Sequence, residues 1–218
     1  MTTSHHDWPA FIRANTKLLA PPLVPEIVLH LAEESLPIWR RTEEELGEMN
    51  VPPPYWAFAW AGGQAVSRYL LDNPALVAGR SVLDLGAGAG LAAIAAAKAG
   101  AREVMAADID LVSLAAASLN AQANGVAVDT TADDLLAAVP PIFDVIIVGD
   151  LFYERALADL VLTFIEAARA QNARILIGDP QRSYFPRGRF EKLAEYHVPV
   201  TRELEDSEFK PTAVWTAG

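Results

Sequence analysis

Val82-Leu83-Asp84-Leu85-Gly86-Ala87-Gly88-Ala89-Gly90 is a short apolar run that stops abruptly at alternating glycines. Such a run reads as a buried parallel strand, and the alanine-rich Leu91 to Ala99 behind it reads as a helix ended by Gly100. Glycine tolerates positive φ and close backbone approach, so a strand-to-helix turn of this kind wraps a ligand and offers it amides and the positive helix N-terminus. In dinucleotide enzymes the ligand group is a pyrophosphate. Here Asp84 sits two positions before the first glycine, and the third glycine follows the second by two positions instead of three. A carboxylate there repels pyrophosphate but suits an ammonium group, which favours an amino-acid-bearing nucleotide, S-adenosylmethionine, over NAD.

Working downstream, Glu103 to Ala107 reads as the next strand, and Ala106-Ala107-Asp108-Ile109-Asp110 ends it. An acid about 20 residues beyond the glycine turn is placed for ribose hydroxyls. Asp108 is the expected ribose ligand because it is first past the apolar run, and Asp110 is the expected N-cap of a helix over Leu111 to Ala123. After a strand at Val126 to Thr131, Asp133-Asp134 supplies an acceptor for an adenine amino group and a cap for the following turn; Asp133 is counted with the cofactor residues. Further strands are expected at Phe143 to Val148 and Ala173 to Ile177, and helices at Gln64 to Leu71, Glu154 to Ala170 and Arg189 to Tyr196. His197 to Arg202 with Ala213 to Thr216 reads as a closing hairpin. The alternation predicts an α/β fold, a Rossmann-like seven-strand and mainly parallel sheet with helices on both faces and a C-terminal antiparallel strand.

Upstream the pattern changes. Pro9, Pro21, Pro22, Pro25, Pro37 and Pro52 to Pro54 keep regular elements short, because proline fixes φ and removes a donor. A helix near Asp7 to Leu19, an extended piece at Glu26 to Leu31 and a charged helix at Trp39 to Leu46 are expected. The chain is thus divided into an N-terminal extension on the substrate side, residues 1–59, and a main domain, residues 60–218.

Composition excludes several classes. With 17 basic against 28 acidic residues the 218-residue chain carries a net charge of −11, which argues against nucleic acid as partner. Without cysteine there is no disulfide, thiolate metal site or cysteine nucleophile, and His5, His6, His30 and His197 show no metal-ligand spacing, so no metal is expected. The first residues lack the basic start and apolar run of a secretion signal, and no stretch is apolar enough to span a bilayer. The expectation is a cytoplasmic protein with no membrane contact, a monomer.

In this order Asp84-Leu-Gly-Ala-Gly-Ala-Gly90, Asp108 and Asp133 resemble the class I, seven-strand S-adenosylmethionine-dependent methyltransferases over roughly residues 60 to 218. Two further segments, Pro54-Tyr-Trp-Ala-Phe-Ala-Trp60-Ala-Gly-Gly-Gln64 and Gly149-Asp150-Leu-Phe-Tyr153, are similar to the protein-lysine methyltransferases with an Asp-x-x-Tyr motif. With Gly178-Asp-Pro and the N-terminal extension, they most resemble the enzymes that methylate the β subunit of electron transfer flavoprotein. The ribosomal protein L11 methyltransferases begin the same motif with Asn where this chain has Asp150.

The resemblance implies S-adenosylmethionine as cofactor, held by Trp60, Asp84, Gly86, Gly88, Gly90, Asp108 and Asp133. It implies Asp150 and Tyr153 as catalytic residues, and a protein lysine as acceptor. A lysine amine, with an ordinary pKa near 10.4, must lose a proton before it attacks. Asp150, at the carboxyl end of a central strand, is placed to orient that amine and assist the loss, with Tyr153 beside it. A carboxylate also raises an amine's pKa, which favours orientation over strong base action. Capping of the following helix is the competing account of Asp150. Trp56 is expected to wall the lysine channel, since aromatic faces suit a cation and its stem, with core packing as the alternative; Trp60 is the second such ring. Glu33, Glu34 and Glu43 to Glu45 read as a solvated face that attracts basic surfaces. A small-molecule amine methyltransferase and a non-catalytic binding module are the competing classes.

Overall fold

The computed structural model describes residues 7–32, 54–200 and 208–217. The charged helix expected at Trp39 to Leu46 and the acidic positions 33, 34 and 43–45 lie outside them. Nine strands and five α-helices are found among the described residues. Seven of the strands form one sheet: β3 (Ser81–Leu85), β4 (Glu103–Ala107), β5 (Asp129–Thr131), β6 (Val145–Gly149), β7 (Arg174–Asp179), β8 (Glu191–Pro199) and β9 (Phe209–Ala217), in the order β5-β4-β3-β6-β7-β9-β8. The first five run parallel, and β9 lies antiparallel between β7 and β8. The order reverses between β3 and β6, so the carboxyl ends of those neighbours face one crevice, the usual ligand position in such sheets.

Period-two alternation sends strand residues to opposite faces. Val82, Val145, Ile147, Leu176 and Val214 pack with α2 (Ala61–Asp72), α3 (Leu91–Lys98) and part of α4 (Leu111–Ala123). Leu83, Leu85, Ile146, Val148, Ile175 and Ile177 pack with α5 (Arg155–Ala170) and Phe152. α3 is the leanest case: Leu91 through Ala96 are all buried, and five of its eight residues are alanine, which lets the backbone lie close on the sheet.

Four expectations shift. The first helix, α1 (Trp8–Asn15), is capped by Asp7, whose Oδ1 accepts from Ala10 N at 3.0 Å. It stops at extended Thr16 instead of running to Leu19, and Lys17–Leu19 becomes β1, paired antiparallel with β2 (Leu29–Leu31). The strand expected at Val126 to Thr131 shortens to β5 because Gly125 N and Val126 N close the end of α4 on Gln122 O and Ala121 O. The helix expected at Arg189 to Tyr196 is the strand β8. Its helix-favouring Glu-Lys-Leu-Ala-Glu run loses to the ladder with β9, which spans Glu191 to Pro199 with a bulge between Lys192 and Ala194. The closing hairpin is correspondingly longer than expected.

The N-terminal segment is fastened by two asparagines of α4. Asn124 accepts from Val28 N (3.1 Å) and donates to Val28 O (2.7 Å), as an adjoining strand would. Asn120 Oδ1 accepts from His30 N (2.7 Å) and meets His30 Nδ1 (2.9 Å), while its Nδ2 donates to Ala89 O in the glycine turn (2.9 Å). Since Oδ1 can only accept, the buried His30 ring carries its proton on Nδ1.

Candidate active site

Gly86, Gly88 and Gly90 all adopt positive φ (67°, 51° and 77°). The turn they make is strapped to β4: Gly86 N and Ala87 N both donate to Ala107 O. A side chain at Gly90 would strike Ala117, whereas a Cβ built on Gly88 meets nothing within 4 Å. Gly88 therefore faces open space, and its glycine is not required by internal packing.

Gly90 is also the N-cap of α3 and has no side chain to cap with. Asp84 supplies the missing acceptor from the strand before it. Its Oδ2 accepts at 2.9 Å from Ala93 N, the third helical residue. Burial, reinforced by Asp108, pushes the Asp84 carboxyl up to about 7 against the pull of that amide. This differs from the expectation of a carboxylate open to a ligand ammonium: in this structure Asp84 is buried and serves the turn.

Asp108, at the end of β4, accepts from Gly88 N (2.9 Å) and Asp110 N (3.0 Å). Burial holds its carboxyl above the ordinary range. Asp110 caps α4, accepting from Val112 N at 2.9 Å and from the Ser113 hydroxyl at 2.9 Å. Asp134 caps the next short turn through Leu136 N, and Asp133, beyond β5, is exposed and accepts from the Thr131 hydroxyl at 2.8 Å. The glycine turn, Asp108 and Asp133 thus follow three successive parallel strands of one sheet edge.

Across the crevice, Asp150 leaves β6 with φ +56°, a left-handed conformation unusual for a residue with a side chain and often found at functional sites. It does not cap α5, whose N-cap is Glu154. It caps a different helix: α2 begins at Trp60 without a capping side chain, and Asp150 Oδ2 accepts at 3.0 Å from Gly63 N in its first turn. The approach requires glycine. A Cβ on Gly62 would lie 2.1 Å from Gly178 O and 2.5 Å from Asp150 Oδ2, and one on Gly178 would lie 2.0 Å from Gly62 O.

The other Asp150 oxygen, Oδ1, accepts from Arg182 Nε (3.1 Å) and Nη2 (2.8 Å). Burial raises the Asp150 carboxyl, and the Arg182 guanidinium opposes the rise. The same guanidinium lies 5.5 Å from the Trp60 ring centroid, and the Trp60 indole donates to Tyr55 O at 2.8 Å. Asp179, one residue beyond Gly178, is fully buried; its Oδ1 accepts from Arg182 N at 2.7 Å and its Oδ2 has no partner among the described residues. Burial, then the neighbouring Asp150, push Asp179 up to about 7.

Tyr153 is half exposed, with its ring 6.2 Å from that of Tyr55, and burial raises its hydroxyl. The structure brings Asp150, Tyr153 and Trp60 to this side of the crevice. Trp56 goes elsewhere: it is fully buried with Ile12, Val112 and Leu119 between α1 and α4, a core role in place of the expected channel wall. Sequence reasoning missed Arg182 and Asp179 as members of the cluster. The Gly178-Asp179-Pro180 run was the available signal, but the contact of Arg182 with Asp150 spans 32 positions and has no local signature.

Comparisons with known proteins give the fold and the family. A family model described as ribosomal protein L11 methyltransferase matches residues 66–173. The magnesium protoporphyrin IX methyltransferase of Synechocystis, solved with bound S-adenosylmethionine, superposes with a TM-score of 0.51 over 70% of this chain and 76% of that one at 20% identity, a likeness of fold. The electron transfer flavoprotein β-subunit lysine methyltransferase of Danio rerio is 37% identical over 98% of this chain and 84% of its own. That of Mus musculus is 38% identical over 94% and 82%. Likeness of this extent makes the chain a member of the electron transfer flavoprotein β-subunit lysine methyltransferase family of seven-strand methyltransferases.

Proposed function

We propose that the chain transfers methyl groups from S-adenosylmethionine to lysine side chains of the electron transfer flavoprotein β subunit. The observation that carries this reading is the buried, left-handed Asp150 at the end of β6, facing the glycine turn across the point where strand order reverses.

The residues present fit the cofactor. Gly88 turns an open backbone toward the crevice, and Asp108 and Asp133 follow at successive strand ends with the acceptor chemistry that ribose hydroxyls and an adenine amino group need. Gly86, Gly88, Gly90, Asp108 and Asp133 would hold it, with Asp84 fixing the turn beneath and Trp60 at its border. When bound, S-adenosylmethionine supplies an electrophilic methyl on a sulfonium. The chain's own task is the acceptor. Asp150 receives the lysine ammonium and orients the nitrogen while its proton passes to solvent water, and Tyr153 and Tyr55, each about half exposed, border the approach.

A protein substrate agrees with the charge of −11, which attracts basic surfaces and raises the encounter rate. In keeping with it, the reading takes the enzyme as a cytoplasmic monomer without nucleic-acid partners; no helix among the described residues is long and apolar enough to cross a membrane. The test is an incubation of purified enzyme, S-adenosylmethionine and the flavoprotein heterodimer, with methyl masses mapped by peptide. Methylated lysine in the β subunit is expected, slowing as salt rises. Label confined to ribosomal protein L11 or to low-mass amines overturns the substrate assignment.

A further inference from the structure

Arg182 is tied at three points. Its backbone amide is held by Asp179, its guanidinium pairs with Asp150 through two donors on one oxygen, and that guanidinium stacks over Trp60. The turn that brings it there passes through Gln181 at φ +62°, a second left-handed residue with a side chain. The Arg182 and Asp150 side chains are only 17% and 11% exposed, so the pair is shielded from solvent screening. Among the described residues, the groups facing Asp150 are Arg182 from this turn, Asp179 from β7, and backbone amides from α2. Among the described residues Arg182 is the cation that these two acids share.

We propose that Arg182 is a positioning residue for the acceptor lysine: it fixes the Asp150 carboxylate at the end of β6 and supplies the counter-charge that keeps it anionic before substrate arrives. Oδ2 accepts from Gly63 N and Oδ1 from two Arg182 donors, so the carboxylate has one orientation, with one lone pair of Oδ2 left for an incoming N–H. Without the guanidinium a desolvated Asp150 beside Asp179 takes up a proton, and a neutral acid cannot hold an ammonium.

The inference rests on reading Asp150 as the acceptor-side carboxylate, so the test includes Asp150 itself. Arg182→Gln, Arg182→Lys and Asp150→Asn are made in the full chain. Three quantities are measured: kcat/KM for the flavoprotein heterodimer against pH, S-adenosylmethionine affinity by calorimetry, and the Asp150 carboxyl titration by ¹³C shift in the cofactor-free protein. Arg182→Gln should lose roughly 10- to 100-fold in kcat/KM at pH 7, regain part of it as pH rises, bind S-adenosylmethionine normally and titrate Asp150 at higher pH. Arg182→Lys should restore the titration but only part of the rate, since an ammonium lacks the planar fork. If Arg182→Gln does not fold, Arg182→Lys decides, and a wild-type rate and profile there overturns the proposal. An unmoved carboxyl titration, or a faster Arg182→Gln enzyme, also overturns it. Full activity in Asp150→Asn sinks the acceptor reading itself, whereas an inactive Asp150→Asn beside an unaffected Arg182→Gln sinks only the role of Arg182.

Discussion

Asp84 at the end of β3 and Asp150 at the end of β6 do the same structural job with different electrostatics. Each accepts an amide in the first turn of a helix whose own N-cap residue, Gly90 or Trp60, provides no capping side chain. Each is buried. Asp150 has the Arg182 guanidinium against it, whereas the charged neighbour of Asp84 among the described residues is another acid, Asp108. Burial alone pushes a carboxyl toward neutrality; a hydrogen-bonded cation reverses part of that push. One carboxylate is arranged to anchor a turn whether or not it carries charge, and the other is arranged to carry charge.

The contact beneath Asp150 is the place to break the comparison hardest. Gly62→Ala drives a methyl into Gly178 O, where backbone meets backbone and no side chain can yield. A loss of about 3 kcal/mol is expected, from overpacking with loss of the α2 anchor, read as a lowered urea midpoint; a Gly62→Ala protein as stable as the parent would contradict the close approach. At the other end, Gly88→Val meets open space, so the folded protein should lose only the roughly 1–2 kcal/mol of a left-handed side chain. Its S-adenosylmethionine affinity should nonetheless fall at least about tenfold, 1.4 kcal/mol by the usual conversion; unchanged calorimetric affinity in a folded variant would remove the cofactor assignment from this turn.

A smaller effect concerns pH. Asp84 and Asp179, with folded pKa near 7 against an ordinary value near 3.8, bind protons that the unfolded chain has released between those values. Their contribution to stability is therefore present at low pH and lost as pH rises through about 7. Asp84→Asn should flatten the fall in unfolding free energy between about pH 4 and 7 by close to one proton's slope; the same slope in parent and variant would refute the shift. Smallest is Asp110→Ala, an ordinary cap on α4, expected to lower stability by about 1 kcal/mol, read as a lowered urea midpoint; a midpoint equal to the parent's would remove the cap from the account of α4.

The β3 side of the crevice was readable in the sequence because its determinants are local. The glycine turn, Asp108 and the Asp110 cap each lie within a few residues of the element they serve, and a positive-φ turn announces itself as glycine. The β6 side was readable only in part. Asp150 and Tyr153 stood out by resemblance, but the Asp150 cap on α2 spans 87 positions and its pairing with Arg182 spans 32, so neither leaves a periodicity to find. Trp56 misled for a related reason: an aromatic in a Pro-Tyr-Trp connector has no period that tells core from channel, and the partners that bury it come from α1 and α4. β8 misled because helix propensity was the only local signal, while the strand is dictated by β9, whose residues come later in the chain.

Asn120 makes the N-terminal segment and the glycine turn share one carboxamide, with His30 on its oxygen and Ala89 on its nitrogen. Coupling of this kind is reciprocal in free energy. A ligand that steadies the Gly86–Gly90 turn must protect residues 28–31 from proteolysis by the same factor that their removal would weaken the ligand. A shortened fragment that starts at Ala61 would therefore carry a looser glycine turn, with the side-chain oxygens of Asn120 and Asn124 stripped of the donors His30 and Val28.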